Sequence, residues 1–576
     1  MSHLDPPRPD PKGNPMLEHV KDQYVTGKMT RLQFMRYATL LGMSVGAASS
    51  FLAACGGGDE GAAPTKTTTG KADLSKAKRG GTYGIGSEII ETDHPHRLSW
   101  VATSNVLRQA NEYLTFTDAE NVTHPYLLER WETNDTADVW TLHLRQGIKF
   151  TDGKDLTMDD VYWNFQSWYD PDVGSSVLGL LAPFMSLNDI EVVDTYTMRL
   201  NLKAPTISIP EFLYHYPAQI LQKGWEPPPK GESLAERVVG TGPFIIEEIK
   251  FGGGARAVRN PKYWRKAPDG KPLPFLDEIV WTDLGAERAP YIAAIQSGQI
   301  DTIYNLGPEQ YQALKDDPNL EMKVAKSIET ALFRMRLDME PFTDKDVRNA
   351  FKLVQPREEM ANTAYFGLVD LGHDAHFGPA DPDYVEKPIP EQDIEQAKQL
   401  LADSPTWQKW GNKPIKCTYK NDTRHEPVEA EVFQRAAEEA GINIQLDQRP
   451  ATEYWPKWNH YHFGVTSWAH RPLNTMVSLL AYTKEAVPPD EKSGNWNETR
   501  WVNEEFLKLL SDANATPDLQ ERLDLISRME DIQADDGAIG VPMFFASLDL
   551  DTTRIKNRLA HPTDYLICTE TWIEEA

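Results

Sequence analysis

The stretch PYLLERWETNDTADVWTLHLRQGIKFTDGKDLTMDDV, Pro125 to Val161, sets the fold class. In VWTLHLR, Trp140, Leu142 and Leu144 fall on one face and Thr141, His143 and Arg145 on the other. That period of two marks a half-buried strand, and Gly147 then turns the chain. Ten residues on, Thr157 and Asp160 have the spacing of a capping box, and Val161, Phe165 and Trp168 share one face at helical spacing. Asp159 and Asp160 sit in that first turn, where the helix dipole favours carboxylates, so they are not read as an acid/base couple.

The same alternation continues outward. YTMRLNL repeats the strand pattern with Tyr196, Met198, Leu200 and Leu202. Val347, Phe351 and Val354 form an apolar helix face before Pro356. Val432, Phe433, Ala436 and Ala440 form another, which Gly441 ends ahead of the strand INIQL. No short-period repeat occurs, which argues against a solenoid or propeller and for a mixed α/β protein. With 576 residues, 40% of them hydrophobic, the chain exceeds what one core usually serves, so more than one lobe is expected.

Composition excludes several classes. Lys and Arg number 59 against 86 Asp and Glu, a formal net charge of -27, which repels phosphate backbones; no nucleic-acid partner is expected. Cys55, Cys417 and Cys568 include no CxxC pair, so no zinc knuckle is encoded, and a Cys417 to Cys568 bridge stays open. HExxH, GxSxG, GxxxxGK[ST] and GxGxxG are absent. SKAK at Ser75 fits SxxK, yet it lies in a linker that cannot hold a nucleophile rigid. No enzyme and no cofactor are expected.

Near the N-terminus, YATLLGMSVGAASSFLAAC, Tyr37 to Cys55, is the one long uncharged apolar run, and the basic residues Lys28, Arg31 and Arg36 precede it. Its Ala, Gly and Ser content suits a cleaved export signal better than a permanent span or a buried helix. TRLQFMR resembles a twin-arginine signal with Leu32 in place of the second arginine. LAAC resembles the bacterial lipobox, which would make Cys55 a lipid attachment point; the alternative is cleavage nearby with Cys55 incidental. Residues 56–78 then read as a flexible tether.

Several further blocks occur in order: GGTYGIGSE at Gly80, NVLRQANEYL at Asn105, VGTGPF at Val239, RNPKYW at Arg259, LDEI at Leu276, SGQID at Ser297 and DVRNAFKLVQPREEM at Asp346. In VGTGPF, Gly240, Gly242 and Pro243 enforce a turn before a strand; in RNPKYW, Tyr263 and Trp264 are read as packing residues. Together with the block from Pro125, they resemble the family 5 solute-binding proteins of bacterial ABC transporters, the peptide, nickel and opine binders.

The resemblance implies an α/β type II periplasmic-binding fold, with two lobes around a hinge and an extra domain in the first lobe. By that analogy residues 1–55 are the export signal, 56–78 the linker, 79–124 and 241–329 the first two parts of lobe 1, and 125–240 the additional domain. Lobe 2 is 330–541, and 542–576 returns to lobe 1. The expected partners are a small-molecule or oligopeptide solute, an ABC permease and, through the lipid, a membrane. The protein is expected to act as a monomer, periplasmic or tethered.

The resemblance also directs attention to TSWAHRPLNTMVSLLAY from Thr466. Peptide-binding members commonly place an aspartate for the peptide ammonium three residues after the tryptophan that corresponds to Trp468. Here that position holds Arg471, which prefers a carboxylate or phosphate. Arg471, with Trp468 and His470 beside it, is therefore expected to bind an anionic or polar group, against the alternative of a structural ion pair. Glu88 and His96 are further solute-contact candidates in the loop SEIIETDHPH, and Tyr113 and Trp496 are candidates for stacking. The pairs His94 and His96, His373 and His376, and His460 and His462 lack a full ligand set, so no metal site is assigned. A secreted hydrolase and a chaperone or sensor on the same cleft are the alternatives to a transport receptor.

Overall fold

The computed structural model describes residues 14–54, 73–98, 100–229, 232–285, 287–381, 383–411, 413–421, 425–489 and 495–574. Cys55 and the linker residues 56–72, on which the lipid and tether expectations rest, lie outside them.

The stretch at Pro125 folds as its pattern predicts. Leu128–Thr133, Val139–Leu144, Thr197–Asn201 and Ile190–Asp194 form a four-stranded antiparallel sheet in that spatial order. Trp140, Leu142 and Leu144 are buried and their neighbours are not. The Thr157 backbone N–H and hydroxyl each donate to the Asp160 carboxylate at 3.0 Å, opening the helix Met158–Tyr169. Phe165 and Trp168 on that helix are fully buried. The sheet begins at Leu128, because Pro125 instead closes a hairpin between Thr115–Thr117 and Thr123–Pro125. VGTGPF is tight through close approach: a Cβ on Gly240 would stand 1.9 Å from the Ala110 carbonyl oxygen, and one on Gly242 2.6 Å from it.

The main sheet has twelve strands and passes through both lobes. Its spine is Leu320–Met335. The first part of that strand pairs antiparallel with Met543–Thr552, the last pair being Glu329 with Phe545; from Thr330 onward it pairs with Phe463–Trp468. The register shifts between Lys326 and Glu329, at the handover. Beyond Met543–Thr552 come Thr302–Ile303, Thr82–Gly86, Glu278–Thr282, Gly254–Arg259 and Phe244–Lys250; beyond Phe463–Trp468 come Ile415–Lys420 and Ile444–Arg449.

In each lobe some of these strands are parallel neighbours: Thr82–Gly86 with Thr302–Ile303, and Ile415–Lys420 with Phe463–Trp468. Parallel strands end on the same side, and in open α/β sheets ligands collect at those carboxyl ends. Residues 86–88, 304–305, 420 and 467–471 are thereby placed together.

Residues 14–54 form three helices, Pro15–Val25, Arg31–Leu40 and Val45–Ala54. The sequence expects this region to stand apart as a leader, yet Phe34, Tyr37, Leu41 and Leu52 are buried against the body. The Trp131 indole donates to the Leu40 carbonyl at 2.9 Å, and the Arg36 guanidinium donates to the Glu120 carbonyl at 2.7 Å. On the other lobe, Tyr37 donates to Asp383, and Gln23 donates to Asp518 at 2.7 Å. An apolar, small-residue helix has found a packing surface where the composition suggested only a disposable segment.

Cys417 and Cys568 are free thiols, both buried, so the open question of a bridge between them is answered. Among the described residues no helix is long and apolar enough to cross a membrane.

Candidate functional site

Where the strand ends of the two lobes face each other, a cavity of about 210 Å³ opens. One lobe contributes Ser87, Glu88, Trp100, Tyr304 and Asp564, and the adjoining domain contributes Tyr216. The other contributes Lys420, Trp458, Trp468, Arg471 and Trp496, with Glu329 at the handover between them.

Three indoles form one wall. Trp458, Trp468 and Trp496 meet pairwise edge to face, with ring centres 5.9, 6.0 and 5.6 Å apart. That geometry suits the aromatic quadrupole and fixes the rings relative to one another. Trp468 is anchored from behind: its Nε1 donates to Glu498 at 2.8 Å, and Glu498 pairs with the fully buried Arg334 at 2.6 Å. Strand end, indole and buried ion pair thus act as one rigid mount.

Arg471 is 3% exposed. Its Nη1 donates to the Ala469 and His470 carbonyls at 3.0 and 2.8 Å, and its Nε is buried without a hydrogen-bond partner. The guanidinium carbon lies 5.4 Å from the Tyr216 ring centre and 5.8 Å from that of Trp496. Among the described residues no carboxylate pairs with it. The structural ion pair that the sequence offered as an alternative is not seen among the described residues; Arg471 lines the cavity and is held by carbonyls and rings.

The neighbouring charges are arranged differently. Lys420 pairs with Glu426, which also accepts from the Ser467 hydroxyl. Glu329 forms no ion pair among the described residues. Burial raises its pKa to about 7, against the pull of Lys420 and Arg471 and with the push of Glu426. Asp564 accepts from the Ser547 hydroxyl at 2.5 Å, and burial followed by Glu329 raises its carboxyl well above the usual range. Two cations without an ion pair among the described residues, Arg471 and Arg288, and two reluctant anions therefore line the same space.

Four of the residues expected at the site line it: Trp468, Arg471, Trp496 and Glu88. Three do not. His470 is fully buried, its Nδ1 accepting from the Ile328 backbone N–H and its Nε2 facing Asn121, each at 3.0 Å. It lies beyond the end of the strand Phe463–Trp468, and both its ring nitrogens are taken up by Ile328 and Asn121. His96 is fully buried between Ser167 at 2.8 Å and the Gln219 carbonyl at 2.9 Å. Tyr113 donates to the Tyr216 carbonyl at 3.0 Å and is a packing residue. Tyr263 and Trp264 both donate to Glu112, at 2.7 and 2.9 Å, as their packing assignment requires. The sequence reading missed Trp100, Tyr216, Glu329, Lys420, Trp458 and Asp564, which no local pattern distinguishes from core or surface residues. Among the described residues no group of three or more His, Cys, Asp or Glu is disposed to hold a metal.

On the far side of Trp496 a second groove, of about 680 Å³, runs between Arg97, Ser175 and Leu178 on one side and Leu480, Glu485 and Asn495 on the other.

A two-lobed sheet with aromatic and charged side chains converging at its strand ends defines a solute-binding protein. The model of the bacterial extracellular solute-binding proteins, family 5 (middle region), matches residues 122–487, more than half of the chain, and the protein belongs to that family. It is 22% identical over 500 residues to the dipeptide-binding protein DppE of Bacillus subtilis, covering 82% of this chain and 87% of that one. It is 25% identical over 500 residues to the periplasmic oligopeptide-binding protein OppA of Salmonella typhimurium, covering 80% and 86%. Among solved structures, the oligopeptide-binding protein AppA of Bacillus subtilis, in complex with a nonapeptide, superposes with a TM-score of 0.73 at 18% identity, covering 87% of this chain and 100% of that one. AgaA from A. tumefaciens R10, in complex with agropinic acid, gives 0.75 at 20%, covering 86% and 99%. These likenesses establish the type II periplasmic-binding fold. Family members bind solutes for ABC import and are not enzymes, which sets the hydrolase alternative aside.

Proposed function

We propose that this protein is the extracytoplasmic receptor of an ABC importer, capturing a peptide-like or other small polar or anionic solute between its lobes and presenting it to the permease. Relatives bind solutes as different as a nonapeptide and agropinic acid, so the fold alone does not name the cargo. The observation that carries the reading is Arg471: a buried guanidinium, lining the interlobe cavity without a carboxylate partner, is costly unless an anion arrives to pair with it.

Closure follows from the sheet. Glu329 and Thr330, at the strand handover, and the start of Met543–Thr552 are where the chain crosses between lobes, and they serve as the hinge. A solute touching both lobes stabilises the closed form by its differential affinity for that form. The receptor works as a monomer outside the cytoplasmic membrane, tethered through Cys55 once residues 1–54 are removed, a step that also breaks the contacts those helices make with both lobes.

Thermal unfolding tests this. A solute at a hundred times its Kd adds about 2.7 kcal/mol to native stability by mass action. The wild-type protein should therefore melt higher with its solute, the solute should be recovered chemically unchanged, and Arg471→Ala should lose the shift. A full shift in Arg471→Ala would sink the anion-binding role.

A further inference from the structure

Two features of the cavity carry the reading of its cargo further. First, aromatic side chains reach the cavity from several elements, Trp458, Trp468 and Trp496 from one lobe and Trp100 and Tyr216 from the rest of the lining. The space between them, about 210 Å³, lies below the roughly 300–1,000 Å³ of pockets for drug-sized ligands. Aromatic side chains gathered around a small space suit a planar ring better than an extended backbone.

Second, basic and acidic groups without an ion pair among the described residues share that space. Arg471 has an orphan Nε and no ion-pair partner, while Glu329 and Asp564 line the cavity without a cation within ion-pair distance among the described residues. The remaining charged groups facing Glu329 are Lys420 and Glu426, which satisfy each other. Arg288 lines the cavity on the side of Asp564. A solute with only a carboxylate would leave the two acids unanswered; one with only an amine would leave Arg471 unanswered.

Resting on the receptor function above, we propose that the cleft holds a small aromatic zwitterion, its ring between the indoles, its carboxylate on Arg471 and its amino group on Glu329 and Asp564. An ammonium beside those acids favours their charged forms, so binding near neutral pH releases protons.

Calorimetry on the full chain with five probes tests this: L-tryptophan, indole-3-propionate lacking the amine, tryptamine lacking the carboxylate, L-leucine lacking the ring, and trialanine. L-Tryptophan is expected to bind at least about tenfold more tightly than each of the others. Glu329→Gln should weaken L-tryptophan while sparing indole-3-propionate, and Arg471→Lys, which keeps the charge but loses the planar fork, should weaken both and spare tryptamine. Circular dichroism of each variant confirms the fold.

L-Leucine or trialanine binding as tightly as L-tryptophan would overturn the inference, the latter pointing to the groove beyond Trp496. If that binding depends on Arg471, solute capture stands while the aromatic zwitterion falls. Failure of all the aromatic probes at millimolar concentration also overturns it. Turnover of a bound probe would overturn the receptor function itself.

Discussion

The Arg471 guanidinium carbon lies 5.8 Å from the centre of the Trp496 ring, and the two side chains line the same interlobe cavity. The ring holds the cation by its quadrupole, a contact worth about 0.5–2 kcal/mol, without neutralising it. A charge steadied in this way still has an anion to gain.

Arg471→Ala is accordingly expected to weaken the retained solute by at least tenfold, since truncating one partner of a buried charged contact costs about 2–5 kcal/mol. Trp496→Ala removes both a wall and the support of the cation and should weaken it comparably. Isothermal titration with the solute released from the wild-type protein reads both; an unchanged affinity in either variant contradicts the assigned contact.

Glu498 links the wall to the core, accepting from Trp468 at 2.8 Å and pairing with Arg334 at 2.6 Å. Glu498→Gln leaves the Arg334 charge buried without its counter-charge and should lower the unfolding free energy by about 3–5 kcal/mol in urea titrations. The double change Arg334→Met with Glu498→Leu should recover much of that loss. No recovery would mean that the pair is needed for packing rather than charge balance.

Stability should fall between pH 6.5 and pH 8. Burial raises Glu329 to about 7 and Glu211, Asp381 and Glu530 to about 8. Between its ordinary value and its raised one, each group holds a proton in the native state that the unfolded chain has lost, so rising pH destabilises. Buried histidines act oppositely: His94 and His373 are lowered to about 4 and His96 and His376 to about 3, so stability rises with pH up to about 6.5. A melting temperature that climbs steadily through pH 8 contradicts this balance.

The helices of residues 14–54 contact both lobes, through Trp131 and Glu120 on one side and Asp383 and Asp518 on the other. A chain beginning at Gly56 loses all four ties and should change its radius of gyration more on adding solute than the full chain does. Small-angle scattering of the two chains makes the comparison; equal changes would show that these helices do not restrain the lobes.

How much of this was legible in the sequence depends on the range of the interaction. The strand at Trp140 and the capping box at Thr157 are local patterns, and they fold as written. Arg471 was visible because it stands where a carboxylate is expected. Its lack of a counter-ion was not, because that depends on Glu329 and Asp564 from distant parts of the chain. His470 shows the converse limit: one residue from Arg471, it serves the core through Ile328 and Asn121, partners that are distant in the chain. The N-terminal run resembles a leader by composition, while its docking on Trp131 is tertiary information.

Mass spectrometry of the solute carried by the purified protein tests the central claim most directly. The account predicts one small compound with an acidic group, bound about one per chain, released unchanged, and missing from Arg471→Ala purified in parallel. A mixture of long peptides, or the same compound retained at full occupancy by Arg471→Ala, would contradict it.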